Sequence, residues 1–156
     1  MKNIFLPALF CLICFSCNES NSLTSLDDLN ADKIIIVDSL NLSTFKKDKL
    51  KVLEQNIIGD ILTLKVQYGG GCKEHEIKVY SLKSIIKTNP SQFELFISHN
   101  ANNDGCMMLI TKEYNINLRD LKLFYKSHYN NVNILLLDIY EPGSNVPVSP
   151  LLKYFI

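Results

Sequence analysis

Within residues 61–68, the stretch 62–68 alternates without a break. Leu62, Leu64, Val66 and Tyr68 are apolar, and Thr63, Lys65 and Gln67 between them are polar. A period of two puts each set on its own face of a pleated strand, one dry and one wet. The pattern recurs in 75–81, with His75, Ile77 and Val79 on one side. It recurs again in 93–99, where Phe93, Leu95, Ile97 and His99 share a face. Residues 132–140 are apolar on both faces for much of their length, which predicts a central strand. The β-branched run 33–38 predicts a short strand, 40–55 a weaker one with its turn at Lys46, Lys47 and Asp48, and 151–156 a terminal one. Residues 117–121 read as a single helical turn, and no long amphipathic helix stands out. The fold class expected is all-β: an antiparallel β-sandwich or barrel-like domain of about six to eight short strands.

Between these strands lies the stretch that most distinguishes the chain. Residues 68–76 read Tyr-Gly-Gly-Gly-Cys-Lys-Glu-His-Glu, and 99–106 read His-Asn-Ala-Asn-Asn-Asp-Gly-Cys. The triple glycine is expected to end the strand before it, since glycine admits positive φ and close backbone approach. The Asn/Asp/Gly run at 100–105 is expected to make a tight hairpin turn, with 106–114 returning as a strand.

The front of the chain reads as an address. Lys2 precedes an almost continuous apolar run, 4–15, too short for a bilayer span of about 20 residues and suited to a signal peptide. The run ends at Ser16-Cys17. A small residue directly before a cysteine at that place resembles the lipobox of bacterial lipoproteins, although Cys14 stands where that family has leucine. The resemblance implies cleavage before Cys17, lipid on its thiol, and a protein of the bacterial cell envelope, anchored in a membrane and facing the periplasm or the cell surface. The boundaries that follow are a signal peptide, 1–16; a lipidated N-terminus and polar tether, 17–31; and a β-rich domain, 32–156. Leu23, Leu26 and Leu29, spaced by three, offer a docking helical turn as an alternative to a free tether.

Five cysteines are then accounted for as follows. Cys11 and Cys14 leave with the signal and Cys17 takes lipid, so Cys72 and Cys106 remain, in a compartment that permits disulfides. Bonding them to each other is the first reading. A metal site is the second: Cys72, His75, His99 and Cys106 are the residue types of a tetrahedral zinc (or copper) centre. Two free thiols are the third, and a thiol with His75 or His99 as base would be a nucleophile pair. Each histidine is also in phase with apolar strand residues, where a hydrogen-bonded structural role is common. His128 stands alone before a polar turn and reads as solvated. Residues 100–105 match the first half of a calcium loop, but its twelfth position is Thr111 rather than glutamate.

The spacing Gly-Gly-Cys-x2-His with His-x6-Cys resembles a pattern of small exported bacterial proteins of unknown function, and it implies no activity. Composition narrows the rest. The chain balances 16 basic against 16 acidic residues and has no tryptophan and a single arginine, Arg119. That is a poor inventory for clamping phosphates or stacking bases, so a nucleic-acid partner is not expected. No serine elbow, phosphate loop or His-Glu-x-x-His motif is present. The expectation is a non-catalytic envelope lipoprotein, a disulfide-clamped domain binding a protein or a glycan and needing no cofactor. The alternative is a metal-handling lipoprotein.

Overall fold

The structure, a computed structural model, describes residues 30–41, 44–129 and 133–156. The signal segment, Cys17 and the tether as far as residue 29 lie outside the described residues. Among the described residues, nine strands form a β-sandwich. They are β1 (Asp32–Lys33), β2 (Ile35–Val37), β3 (Lys51–Ile58), β4 (Ile61–Gly70), β5 (Glu76–Leu82), β6 (Gln92–Asn100), β7 (Met108–Asn117), β8 (Ile134–Tyr140) and β9 (Leu152–Phe155). One sheet has the order β1-β7-β4-β3 and the other β2-β5-β6-β8-β9.

The alternating faces meet where the periodicity puts them. Leu62, Leu64 and Val66 of β4, Phe93, Leu95 and Ile97 of β6, and Leu135, Leu137 and Ile139 of β8 are all buried in one core between the sheets. β8 lies inside its sheet, between β6 and β9, as its two apolar faces require.

Several expectations need correction, beginning with the strand number, nine rather than six to eight among the described residues. The sheets are mixed rather than antiparallel: β1 pairs with β7, β2 with β5 and β6 with β8, all parallel. Parallel neighbours need a crossover, and here the chain between β6 and β8 travels through β7 in the other sheet and then a helix. The sheets stay open, so there is no closed barrel. Residues 101–107 are not a hairpin turn: β6 pairs with β5 and β8, while β7 pairs with β4 and β1. The segment carries the chain from one sheet to the other. Finally, the helical turn at 117–121 is a full helix, α1 (Arg119–His128). Leu121 and Tyr125, four apart, fill its buried stripe beside Leu118, and the Asn117 side chain accepts the Arg119 N–H at its start.

Two further details matter for the site. The run expected as one strand at 33–38 is shared between sheets, β1 on one and β2 on the other, with Ile34 buried between them. And β4 runs through Gly69 and Gly70 instead of stopping before the glycines, paired with β7 as far as Gly70 opposite Met108.

Candidate functional site

One end of the sandwich is built from two crossovers. Residues 71–75 lead from β4 to β5, and 101–107 from β6 to β7. Cys72 is bonded to Cys106, with Cα atoms 5.8 Å apart, so the disulfide ties one crossover to the other.

A second staple lies beside it. Oδ2 of Asp104 accepts the backbone N–H groups of Gly71 (2.8 Å), Cys72 (2.9 Å) and Lys73 (3.0 Å). Its Oδ1 accepts the N–H of Cys106 at 2.9 Å. Three successive N–H groups converging on one carboxylate form an anion nest supplied by the protein's own chain. The Cys106 N–H, followed by those of Cys72 and Lys73 and by His75, holds the Asp104 carboxyl well below the usual carboxylate range. Lys73 adds its Nζ, donating to the carbonyls of Asn102 and Asn103 at 3.0 Å each. Those two asparagines sit at φ 51° and 54°, in the left-handed region that asparagine tolerates.

Below the staple the two histidines touch. Nδ1 of His75 lies 2.9 Å from Nε2 of His99, Nε2 of His75 lies 3.2 Å from Oδ2 of Asp104, and Nδ1 of His99 lies 3.2 Å from the Asp48 carbonyl. Both ends of this chain are oxygens that only accept. His99 must donate to the Asp48 carbonyl, which leaves its Nε2 as an acceptor for His75. His75 thus bridges the two, its Nδ1 on His99 and its Nε2 on Asp104. Burial pushes the His99 imidazole toward its neutral form, in keeping with that role. The Tyr68 ring stacks on His75 at 4.7 Å and meets His99 at 4.9 Å. Gly70 closes the arrangement: a Cβ there would stand 2.5 Å from Nε2 of His75.

The two cysteines proposed from sequence are thus brought together, and so are the two histidines, but not as one ligand set. Among the described residues, the group of three ligand-type side chains whose atoms all lie within 4.8 Å of one another is Cys72, Asp104 and Cys106. The sulfurs are bonded to each other, the carboxylate is occupied by N–H groups, and the ring nitrogens face partners of their own. Zinc held by Cys72, His75, His99 and Cys106 would require that whole arrangement to come apart. Nor is a half-cystine a thiolate nucleophile. His128, the last residue of α1, is exposed and turns its Nδ1 to Ser127 and to the Phe124 carbonyl. Asp104 is the residue that sequence reasoning missed as a structural centre. Its signal was an acidic residue two before a cysteine, facing a glycine run rich in bare N–H groups.

The same end exposes apolar surface. Met107, Met108 and Leu109 are 97%, 64% and 68% exposed. Beside them an opening of about 610 Å³ lies between Lys49 and Lys51 on one side and Leu109 on the other, with Tyr68, Gly69 and His99 in its lining.

Residues 33–140 match the model of the NigD-like C-terminal beta sandwich domain. The chain belongs to that family. No protein curated for function matches the sequence. This NigD-like domain is similar in fold to a solved NigD-like immunity protein from Bacteroides caccae, with 14% identity and a TM-score of 0.59, over 80% of this chain and 64% of that one. It is also similar to a protein of unknown function from Bacteroides vulgatus, with 12% identity and a TM-score of 0.52, over 81% of this chain and 56% of that one. A candidate lipoprotein from Bacteroides fragilis shares 8% identity at a TM-score of 0.52, over 80% of this chain and 70% of that one. At such identities the likeness is one of fold. The chain thus spans 56% and 64% of the first two of these solved proteins.

Proposed function

We propose that this NigD-like domain is the exported, non-catalytic binding part of a lipid-anchored bacterial envelope protein, and that it binds a partner protein with its clamped end. The observation that carries the reading is the contrast at that end. The backbone is held rigid by a disulfide and by a saturated carboxylate, yet three consecutive apolar side chains, Met107, Met108 and Leu109, stand in solvent. Exposed apolar side chains on a frame tied by a disulfide and a saturated carboxylate mark an interaction site, because little ordering entropy remains to oppose binding. Lipid at Cys17 would hold the domain, 32–156, at the membrane through the 17–31 tether. The description of two fold neighbours as an immunity protein and a candidate lipoprotein supports an envelope location.

A photo-crosslinking side chain tests the reading in the full chain in its own cell. Placed at Met107, it should trap one partner; placed at Phe155, which is 66% exposed on β9, it should not. Equal adducts at both positions, or none at Met107, would defeat it. Mass spectrometry of the membrane-extracted protein should find an acylated Cys17 at the N-terminus.

A further inference from the structure

The clamped end contains a break in the sheet. β3 pairs with β4 only as far as Lys51 opposite Gln67, whereas β4 stays paired with β7 through Tyr68, Gly69 and Gly70. The chain ahead of β3 does not continue alongside β4. It crosses to the other sheet instead: the His99 N–H donates to the Lys46 carbonyl, and the Asp48 N–H to the His99 carbonyl, both at 3.1 Å. Among the described residues, no strand flanks 68–70 on the β3 side. The opening of about 610 Å³ lies at this break.

Resting on the reading of this end as a protein-binding surface, we infer that the one-sided edge of β4 at Tyr68, Gly69 and Gly70 is a docking slot for an extended acidic segment of a partner protein. An open strand edge is a template for another strand, and main-chain pairing there supplies affinity while alternate side chains supply specificity. Three residues of edge span about 10 Å. Gly69 leaves the outer layer empty, since a Cβ added there would meet nothing within 4 Å.

Charge names the partner. Lys49 and Lys51 line the slot and are exposed. Neither has an ion-pair partner among the described residues. The acids that share the lining are already engaged: Oδ2 of Asp48 accepts the Ala101 N–H at 2.7 Å, and Asp104 is buried against His75 and its N–H groups. Lys46 and Lys47, also exposed, extend the basic segment. Carboxylates on the outer face of the incoming strand would meet the two lysines, and the apolar residues alternating with them would face inward, toward Tyr68. A lipid surface fits less well, because a headgroup layer offers no backbone to a strand edge and cannot enter a concave opening.

The purified full chain, isotope-labelled for NMR, tests this with two capped peptides of roughly six residues, one alternating glutamate and valine, the other lysine and valine. The glutamate peptide should perturb the amides of Lys51, Tyr68 and Gly69 and should weaken as salt rises. Lys49→Glu with Lys51→Glu should raise its dissociation constant about tenfold or more. Gly69→Tyr, whose Cβ has nothing within 4 Å and whose ring would enter the slot, should abolish binding, while Lys78→Glu on β5 should leave it unchanged. Equal binding of both peptides, no binding at millimolar concentration, or binding untouched by Gly69→Tyr would overturn the inference. So would binding to phosphatidylglycerol vesicles that needs the lysines and ignores Gly69→Tyr. The double lysine variant keeps the test open should Gly69→Tyr fail to fold. Crosslinks at Met107 that persist while the glutamate peptide neither binds nor competes would remove the slot and leave the protein-binding reading standing.

Discussion

At the scale of single residues, Asp104 is the unusual member. One carboxylate takes four backbone N–H groups and a histidine nitrogen. Hydrogen bonds to the charged form lower its folded pKa below the unfolded carboxyl value of about 3.9. The unfolded chain therefore takes up the proton first as pH falls. The contribution of Asp104 to stability is complete above about pH 4 and is lost as pH drops through the folded value. Asp104→Asn should lower the urea midpoint at neutral pH, because an amide nitrogen would then confront N–H donors. It should also flatten the loss of stability below about pH 4. Urea titrations of both proteins across the acid range decide it; parallel profiles would mean the nest contributes nothing. Gly70 belongs to the same cluster, and Gly70→Ala should push His75 off Asp104, visible as altered histidine ring signals in NMR.

At the scale of elements, the disulfide joins two crossovers that the sheets alone do not hold together. Cys72 and Cys106 are separated by 34 positions, and closing a loop of that length stabilises by about 3–4 kcal/mol in the chain-entropy model. Cys72→Ala, Cys106→Ala and the double change break the same bond. All three should lower the urea midpoint by similar amounts, measured against the oxidised protein. A double variant much worse than either single would mean the cysteines act separately. α1 shows the opposite case, an element whose stripe of Leu118, Leu121 and Tyr125 is helical in period but too short to be conspicuous among strands.

For the whole molecule, the segment ahead of β3 decides how the sandwich closes. β1 and β2 are two and three residues long, yet they edge different sheets, and Ile34 between them is 4% exposed in the shared core. Short edge elements are ordinarily tolerant of change. Here the side chain bridges both layers, so Ile34→Ala should cost about 2–5 kcal/mol, as an interior deletion does. Phe93→Ala, in the middle of the core, should cost about 3–5 kcal/mol. Chemical denaturation measures both, and an Ile34→Ala protein with an unchanged midpoint would show that the sheets hold without that bridge.

What was legible in the sequence is what short-range chemistry decides. Alternation in 61–68 and 93–99 assigns strand and inward face, because the pleat has a period of two whatever it pairs with. Elimination singled out Cys72 and Cys106 and left three readings open, a disulfide, a metal site and free thiols; the structure shows the disulfide. Which strand lies beside which was not legible. Residues 100–105 carry hairpin chemistry, yet they cross between sheets, because β7 pairs with β4 and β1, and strand pairing is settled by the burial of whole faces rather than by turn residues. The contact of His75 with His99, the nest around Asp104 and the gap beside Gly69 all join residues from different strands or crossovers. Spacing along the chain does not give these contacts, because they exist only where two sheets, whose strands interleave along the chain, pack face to face on one core.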